Sequence, residues 1–484
     1  MAKLYVFGIG GTGSRVLRSF TFLLGAGVKI NGFNEVVPII IDADSTSGDK
    51  TDTVELMQSY VKIHEKEDHT ENAFQDGFFA TKMSSCCGNN FTMTIPGETS
   101  QRFKDYMNFR SFSETDQALV KMLFSEENLN SDMAVGFKGN PNIGSVVLNQ
   151  FVGTDGYNGF ANSFQQGDAI FIISSIFGGT GASGFPILLH NLRRNGGTIP
   201  NANLLKSCQI GALSVLPYFD LEPAEKDNEN QLEGGTFIQK TRAALKYYYN
   251  NLKELDQLYY IGDDWRPTYE NHNGGALQKN LPHFVELAGA LAIFNFADDV
   301  SVMTDRTVHA DTVAYEYGLK EDREEFDFSN LHDQSLKMIR KPLTKFLLMR
   351  NYFAQALKNK KSWSKSWASS HEPIFNLTSV NENSFYDELS KFMESFAFWL
   401  EGMAKNKRSF KPFDLETTGK NVFNLVKGIT PEKHFFGDKN FDLFNNRLDK
   451  NKEKLSQHIP SIQACWMDLF ARTTDQLVSD ELHI

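Results

Sequence analysis

Asp168-Ala169-Ile170-Phe171-Ile172-Ile173-Ser174-Ser175-Ile176-Phe177-Gly178-Gly179-Thr180-Gly181-Ala182-Ser183-Gly184 decides the reading of this chain. The apolar run from Ala169 to Ile173 has the pattern of a strand buried on both faces. The loop after it, Phe177 to Gly184, offers bare backbone where another group must come close. A similar junction opens the chain: Leu4-Tyr5-Val6-Phe7 reads as a buried strand, and Gly8-Ile9-Gly10-Gly11-Thr12-Gly13-Ser14 as the turn. Arg15 to Leu24 then has helical spacing. Alone, Gly8-x-Gly10-x-x-Gly13 is a weak sign of a phosphate at a helix N-terminus. Two such junctions on one edge of a parallel sheet can grip a polyphosphate from both sides, because two positive helix ends and their N–H groups converge on the charge.

Outward from these junctions, Val36 to Ile41 is a further strand, ending in Asp42-Ala43-Asp44. Strands alternating with helices predict a parallel sheet covered on both faces. Residues from about 50 to 128 are polar and read as an insertion with helices at Thr53–Lys66 and Ser113–Phe124. A Gly/Asn/Pro loop, Gly136 to Gly144, leads into a helical stretch from Ser145. Past the second glycine loop, Pro186–Arg194 is expected to form the first turns of a helix. Ile210–Leu216 and Gln257–Ile261 read as strands, and Thr236–Leu255 and Pro282–Phe294 as helices, with Asn280 placed to be an N-cap. Beyond about residue 305 the alternation stops, and Leu336–Leu357, Tyr386–Lys405 and Lys452–Leu477 show helical periodicity. The expected fold is an α/β parallel-sheet nucleotide-binding domain over 1–300, followed by a mainly α-helical region over 301–484.

Composition narrows the function. The net charge is −11 with no long basic run, which argues against a nucleic-acid-wrapping protein. Lys358, Lys360, Lys361 and Lys365, like Lys405, Lys407 and Arg408, read as solvated faces or loops. The four cysteines, Cys86, Cys87, Cys208 and Cys465, form no CxxC pair, so neither a disulfide framework nor a zinc site is expected. No segment approaches eighteen apolar residues, and Leu4–Phe7 is too short for a signal peptide, so the expectation is a cytoplasmic protein with no membrane span. The histidines share no ligand spacing, and Ser183 does not sit in a G-x-S-x-G elbow.

Asn140-Pro141-Asn142-Ile143-Gly144, one helix and one strand before Gly178-Gly179-Thr180-Gly181, resembles the tubulin/FtsZ superfamily. There an Asn-Pro-x-x-Gly loop precedes the signature Gly-Gly-Gly-Thr-Gly-[Ser/Thr]-Gly. Asp168-Ala169-Ile170 ahead of the strand, Pro186 after the loop, and Val215-Leu216-Pro217-Tyr218-Phe219 also follow the family order, over about 220 residues. Phe177, Ala182 and Ser183 depart from the signature, and the larger insertion resembles divergent bacterial tubulin-like proteins.

The resemblance implies GTP or GDP, with Mg2+, held in a phosphate cradle of Gly10, Gly11, Thr12, Asn140, Gly178, Gly179, Thr180 and Gly181. It also implies a ribose contact from Asp220 or Glu222, and a guanine contact from Asn280. A bulky side chain at Gly179 is expected to occupy the phosphate's space. Ile293-Phe294-Asn295-Phe296-Ala297-Asp298-Asp299 matches the family's catalytic segment after the central helix, with Asp298 as the acid and Asn295 replacing its first acid. Head-to-tail self-association and slow GTP hydrolysis follow from that match. Two other readings stay open: a non-catalytic, nucleotide-gated scaffold that binds a protein partner, and an NAD-dependent or adenylating enzyme that uses the first glycine loop alone, with Asp42 or Asp44 on the ribose.

Overall fold

The computed structural model describes residues 2–44, 46–67, 74, 76–88, 90–95, 97, 101–133, 136–137, 139–194, 196–197, 199–222, 237–270, 275–277, 280–302, 312–316, 319–358, 360–433, 441–455 and 461–484. Strand Lys3–Ile9 (β1) runs into helix Gly10–Gly25 (α1), and strand Glu35–Ile41 (β2) into helix Gly48–His64 (α2), before the short strand Lys82–Met83 (β3). Helices Pro141–Leu148 (α3) and Asp155–Ser163 (α4) lead to strand Ala169–Ser175 (β4) and helix Gly179–Arg193 (α5). Strand Ile210–Val215 (β5), helix Phe237–Asn251 (α6), strand Gln257–Ile261 (β6), helix Phe284–Val302 (α7) and strand Val313–Glu316 (β7) follow.

Every neighbouring pair in the seven-stranded sheet is parallel, in the order β3-β2-β1-β4-β5-β6-β7. The order reverses between β1 and β4, so the segments leaving these adjacent strands turn to opposite faces. A crevice opens between them at the carboxyl edge, which is where open α/β sheets bind ligands.

Alternation within the strands sorts the two faces. Phe171 of β4 meets Phe296 of α7 at 5.4 Å, and Phe20 of α1 meets Phe294 at 5.1 Å, so α1 and α7 share one face. Tyr5 and Phe7 of β1 meet Phe160 of α4 on the other, at 5.2 and 5.1 Å. A Cβ on Gly13 would lie 2.5 Å from the carbonyl carbon of Gly8, so α1 can leave β1 this tightly only because both residues are glycine.

The expected α/β sheet followed by a helical region is observed, with several local corrections. The second glycine loop is itself the start of a helix: α5 begins at Gly179, and Pro186 lies inside it rather than at its start. Proline there leaves the Ala182 carbonyl without its helical donor, and the Tyr248 hydroxyl donates to that carbonyl at 3.4 Å. Helix α2 begins five residues before Thr53, and its buried Leu56, Met57, Tyr60 and Ile63 join the core, so this stretch belongs to the sheet's covering layer. The predicted helix from Ser145 starts at Pro141, proline being well suited to a first helical turn. Helix α7 runs on to Val302, so Asn295–Asp299 lies within it and not beyond it. Strand β7 adds to the sheet past residue 305, where the alternation was expected to have ended.

Helices Asp333–Tyr352 (α8), Phe385–Lys405 (α9), Phe441–Lys452 (α10) and Ile462–Leu482 (α11) are the longest elements of the C-terminal region. Of the helix expected over Lys452–Leu477, the part from Ile462 onward is helical as α11, while Lys452 is the last residue of α10. Aromatic faces tie the region to the sheet layer. Phe22 of α1 packs on Phe392 and Trp399 of α9 at 5.4 and 5.1 Å, and the Trp399 indole N–H donates to Ser19 Oγ at 3.1 Å. Among the described residues no helix is long and apolar enough to cross a membrane.

Candidate functional site

The first turns of α1 and α5 leave N–H groups with no intrahelical acceptor, and both turns open on the crevice between β1 and β4. Gly10 has φ +71°, and a Cβ there would lie 3.4 Å from Thr180 Cβ and 3.6 Å from the Gly181 nitrogen. The two glycine segments thus face each other at van der Waals distance, and the positive φ at Gly10 is what disfavours a side chain there. The third segment closes on them: a Cβ on Gly179 would stand 3.0 Å from Phe137 Cβ, 3.1 Å from the Gly139 nitrogen and 3.2 Å from the Asn140 nitrogen. Lys240 of α6 holds this loop by donating to the Gly139 carbonyl at 3.0 Å. Gly10, Gly11, Thr12, Asn140, Gly178, Gly179, Thr180 and Gly181 are all brought to one edge. At Gly179, however, a side chain would strike the Asn140 loop, not open space. Phe177, which departs from the family signature, is buried with its ring edge-on to Phe219 at 5.6 Å, so it supports the loop from below.

Beneath the cradle lies a buried ionic network that sequence reasoning missed. Arg15 is 4 % exposed, and its guanidinium donates to Asp49 Oδ2 at 2.8 Å, Glu286 Oε1 at 2.8 Å, the Tyr218 hydroxyl at 2.8 Å and Thr12 Oγ1 at 3.2 Å. Tyr218 donates in turn to Glu286 at 2.9 Å, and Arg18 donates to the other Asp49 oxygen at 3.0 Å. Burial pushes the Glu286 carboxyl above its ordinary range, while Arg15 pulls it back. One side chain therefore joins the first glycine turn, α2, the segment after β5 and the start of α7. No local pattern marks these partners, which lie 34, 203 and 271 residues from Arg15.

The remaining predicted residues divide. The Asp44 carboxylate is engaged within the chain: its Oδ1 accepts from the Thr46 amide and hydroxyl, both at 2.9 Å, and its Oδ2 from the Gly275 amide at 2.8 Å. Asp42 accepts from the Asp44 amide at 3.1 Å. Asp220 faces Arg266 at 3.5 Å, while Glu222 is exposed and donates its amide to the Tyr269 carbonyl at 2.9 Å. Residues 223–236, which follow Glu222 and include the predicted start of α6, lie outside the described residues.

Asn280 is half-buried and does not cap α7. His283 does: its Nδ1 accepts from the Val285 amide at 3.1 Å, and its own amide donates to Glu286 Oε2 at 3.2 Å, a reciprocal cap. Asn295 and Asp298 sit at the other end of α7. Asn295 donates to the Tyr259 hydroxyl at 2.8 Å, and Asp298 accepts from Asn31 at 2.7 Å. Gln257, the first residue of β6, bonds Asp299 at 2.9 Å, so this cluster lies at the amino edge of the sheet, opposite the glycine turns.

No family model and no curated protein matches the chain. Solved structures do. The GDP-bound CetZ1 monomer from Haloferax volcanii is 16% identical over 63% of this chain and 61% of that one, with a TM-score of 0.31. The GTPgS-bound CetZ2 protofilament from the same organism is 12% identical over 63% and 60%, with a TM-score of 0.31. A mutant FtsZ from M. jannaschii is 15% identical over 64% and 59%, with a TM-score of 0.30. The chain thus spans about three fifths of the length of these proteins.

The cap of α7 makes the edge of the site acid-sensitive. His283 is fully buried, and burial pulls its imidazole down from 6.5 to about 4. With Nδ1 accepting a hydrogen bond, the neutral ring carries its proton on Nε2. As pH falls through 6.5, the unfolded chain takes up a proton at His283 that the folded chain refuses until pH nears 4. Stability is therefore unchanged by this group above pH 6.5 and drops as pH falls toward 4, by about 3 kcal/mol at most. His283→Asn keeps a capping acceptor and removes the titration. Urea melts across this window should be steeper in pH for the native chain than for the variant, and equal slopes would exclude His283 as the source.

Proposed function

We propose that the chain is a tubulin/FtsZ-like protein that binds a guanine nucleotide at the switch point and hydrolyses GTP slowly when protomers stack head to tail. The observation that carries this is the convergence of three segments, with Gly10 facing Thr180 and Gly179 packed on Asn140. First-turn amides of α1 and α5 hold the phosphates, and the Asn140 loop reaches the terminal one. Guanine is supported by the five family elements that occur in order in the sequence. Glu222, which is exposed, and Asp220, which faces Arg266 at 3.5 Å, are the two acids for the ribose. Asp49 and Glu286 are committed to Arg15, so Mg2+ would be held by phosphate and water, not by these carboxylates.

Asn295 and Asp298 stand at the opposite edge from the cradle, so Asp298 can act only on a neighbour's nucleotide. A contact of this heterologous kind repeats into a filament. The dinucleotide-enzyme reading is disfavoured by Asp44, whose carboxylate is occupied by Thr46 and Gly275. The free cysteines suit a cytoplasmic setting.

Ion-pair chromatography of nucleotide released from the purified chain tests the base: GTP or GDP is expected, and NAD or ATP would overturn the reading. Gly179→Val should displace the Asn140 loop and weaken GTP binding by at least about tenfold in calorimetry, or about 1.4 kcal/mol. Wild-type affinity in that variant would move the cradle elsewhere.

A further inference from the structure

Two nucleophilic side chains stand together away from the crevice. Cys86 and Cys87 are adjacent in the chain and both half-buried, and their Sγ atoms lie 3.8 Å apart. Adjacency alone does not bring two sulfurs together, because successive side chains of an extended segment point to opposite sides. Here the chain bends at Cys86 and turns at Gly88, whose φ is +73°.

The pair lies where the chain has slack. Along β2, Val36 is paired with Met83 and Ile40 with Thr92, so the short run from Val36 to Ile40 is opposed by the much longer run from Met83 to Thr92. The Ser84 amide donates to the Val36 carbonyl at 3.1 Å, and the Met93 amide to the Ile40 carbonyl at 2.9 Å, so both ends of the longer run are fixed. Cys86 and Cys87 sit in the surplus between these ends, and their sulfurs can move without breaking the ladder. A Cβ on Gly159 of α4 would stand 3.2 Å from the Cys86 carbonyl oxygen, which fixes that side of the loop against the helix.

The two thiols are not equivalent. A hydrogen bond to Cys87, and then burial, push the Cys86 thiol up, whereas accepting that bond pulls the Cys87 thiol down. Cys86 therefore holds the proton and Cys87 carries the thiolate, the form that attacks. The other cysteines lack such a neighbour. Burial pushes the Cys208 thiol up to about 12, and Cys465 is buried in the C-terminal region.

We propose that Cys86 and Cys87 form a reversible dithiol–disulfide site that exchanges with low-molecular-weight disulfides. The Cys87 thiolate attacks one sulfur of the incoming disulfide, forming a mixed disulfide and releasing one thiolate. Cys86 then gives up its proton to solvent and attacks Cys87 Sγ, which closes the Cys86–Cys87 bond and expels the second thiolate. The chain loses two electrons and two protons, and the small disulfide is reduced to two thiols. Neighbouring Cα atoms are about 3.8 Å apart, closer than the roughly 4.4–6.8 Å of ordinary disulfides, so the ring is strained and easily reduced again. That lability is the mark of a transient bond and not of a structural one. The site makes no use of the nucleotide reading.

Oxidised glutathione added to the folded full chain, followed by alkylation and peptide mass spectrometry, tests it. The native chain should yield a Cys86–Cys87 peptide two hydrogens lighter and closed to alkylation, while Cys208 and Cys465 are alkylated once the chain is unfolded. Dithiothreitol should return both thiols. Cys86→Ser keeps the attacking thiolate but lacks the second thiol, so it should accumulate a glutathione adduct on Cys87. Cys87→Ser should lose both the ring and the adduct. Circular dichroism melts should show both serine variants folded, and the native arm stands without them. Alkylatable thiols at both positions of the treated native chain would overturn the proposal. So would a glutathione adduct that persists in that chain, a ring that dithiothreitol does not open, or an unmodified Cys86→Ser. Glutathione taken up by Cys87→Ser as fast as by Cys86→Ser would overturn the assignment of Cys87 as the attacking residue.

Discussion

Arg15→Met is expected to destabilise the protein by about 3–5 kcal/mol, the usual cost of removing one partner from a buried ion network. The methionine fills much of the space but leaves Asp49 and Glu286, 1 % and 2 % exposed, without their shared cation. Arg18 still reaches Asp49, whereas among the described residues Glu286 keeps Tyr218 and the His283 amide. The larger share of the loss therefore falls on Glu286, whose carboxyl burial already pushes up. Adding Glu286→Gln to Arg15→Met removes the stranded charge and should recover part of the loss. The interaction energy from the double-mutant cycle should be of opposite sign to the single losses. Chemical denaturation of the four proteins measures it. If Arg15→Met melts like the native chain, the network contributes little. If Glu286→Gln brings no recovery, the cost arises from packing and not from charge.

Asp298→Ala is expected to lower GTP turnover by about two to four powers of ten while leaving GTP binding unchanged, as loss of one group that orients an attacking water would. The fold should hardly feel the change, because the described partner of the Asp298 carboxylate is the exposed hydrogen bond from Asn31. Asp299 differs. It accepts from Gln257 at 2.9 Å and from the Tyr315 hydroxyl at 3.0 Å, so Asp299→Ala should cost stability as well. Because the acid and the cradle lie at opposite sheet edges, turnover per chain should rise with protein concentration, and an excess of Asp298→Ala should suppress the native chain by capping its ends. Phosphate release measured across a concentration series tests both. Native turnover in Asp298→Ala would leave the protein as a nucleotide-gated scaffold, a reading favoured by the way Asn295 is tied to Tyr259 and Gln334.

The strands and the glycine turns were legible because their signals are local. Gln257–Ile261 was predicted to the residue, and Ala169–Ile173 lies within the observed β4, since a run buried on both faces can be read from a handful of neighbours. The order of the two glycine junctions and the Asn140 loop likewise determined which residues gather at one edge, because parallel strands present all their carboxyl ends together. Helix ends were less legible: α7 runs eight residues past Phe294, because Phe296 and Ala297 are buried in continuation of its inner face. Local patterning could not place His283 rather than Asn280 at its start, since the choice depends on Glu286 reaching back to the His283 amide.

What only the tertiary structure decided are the pairings between distant residues. The Arg15 network joins positions 12, 15, 49, 218 and 286, and each of these residue types is ordinary in its own segment. The direction of a side chain at Gly179 depends in the same way on how separate elements are laid against one another. Periodicity along a chain records which face of an element is buried, but not which partner buries it. That information exists only once the chain has closed loops of tens to hundreds of residues.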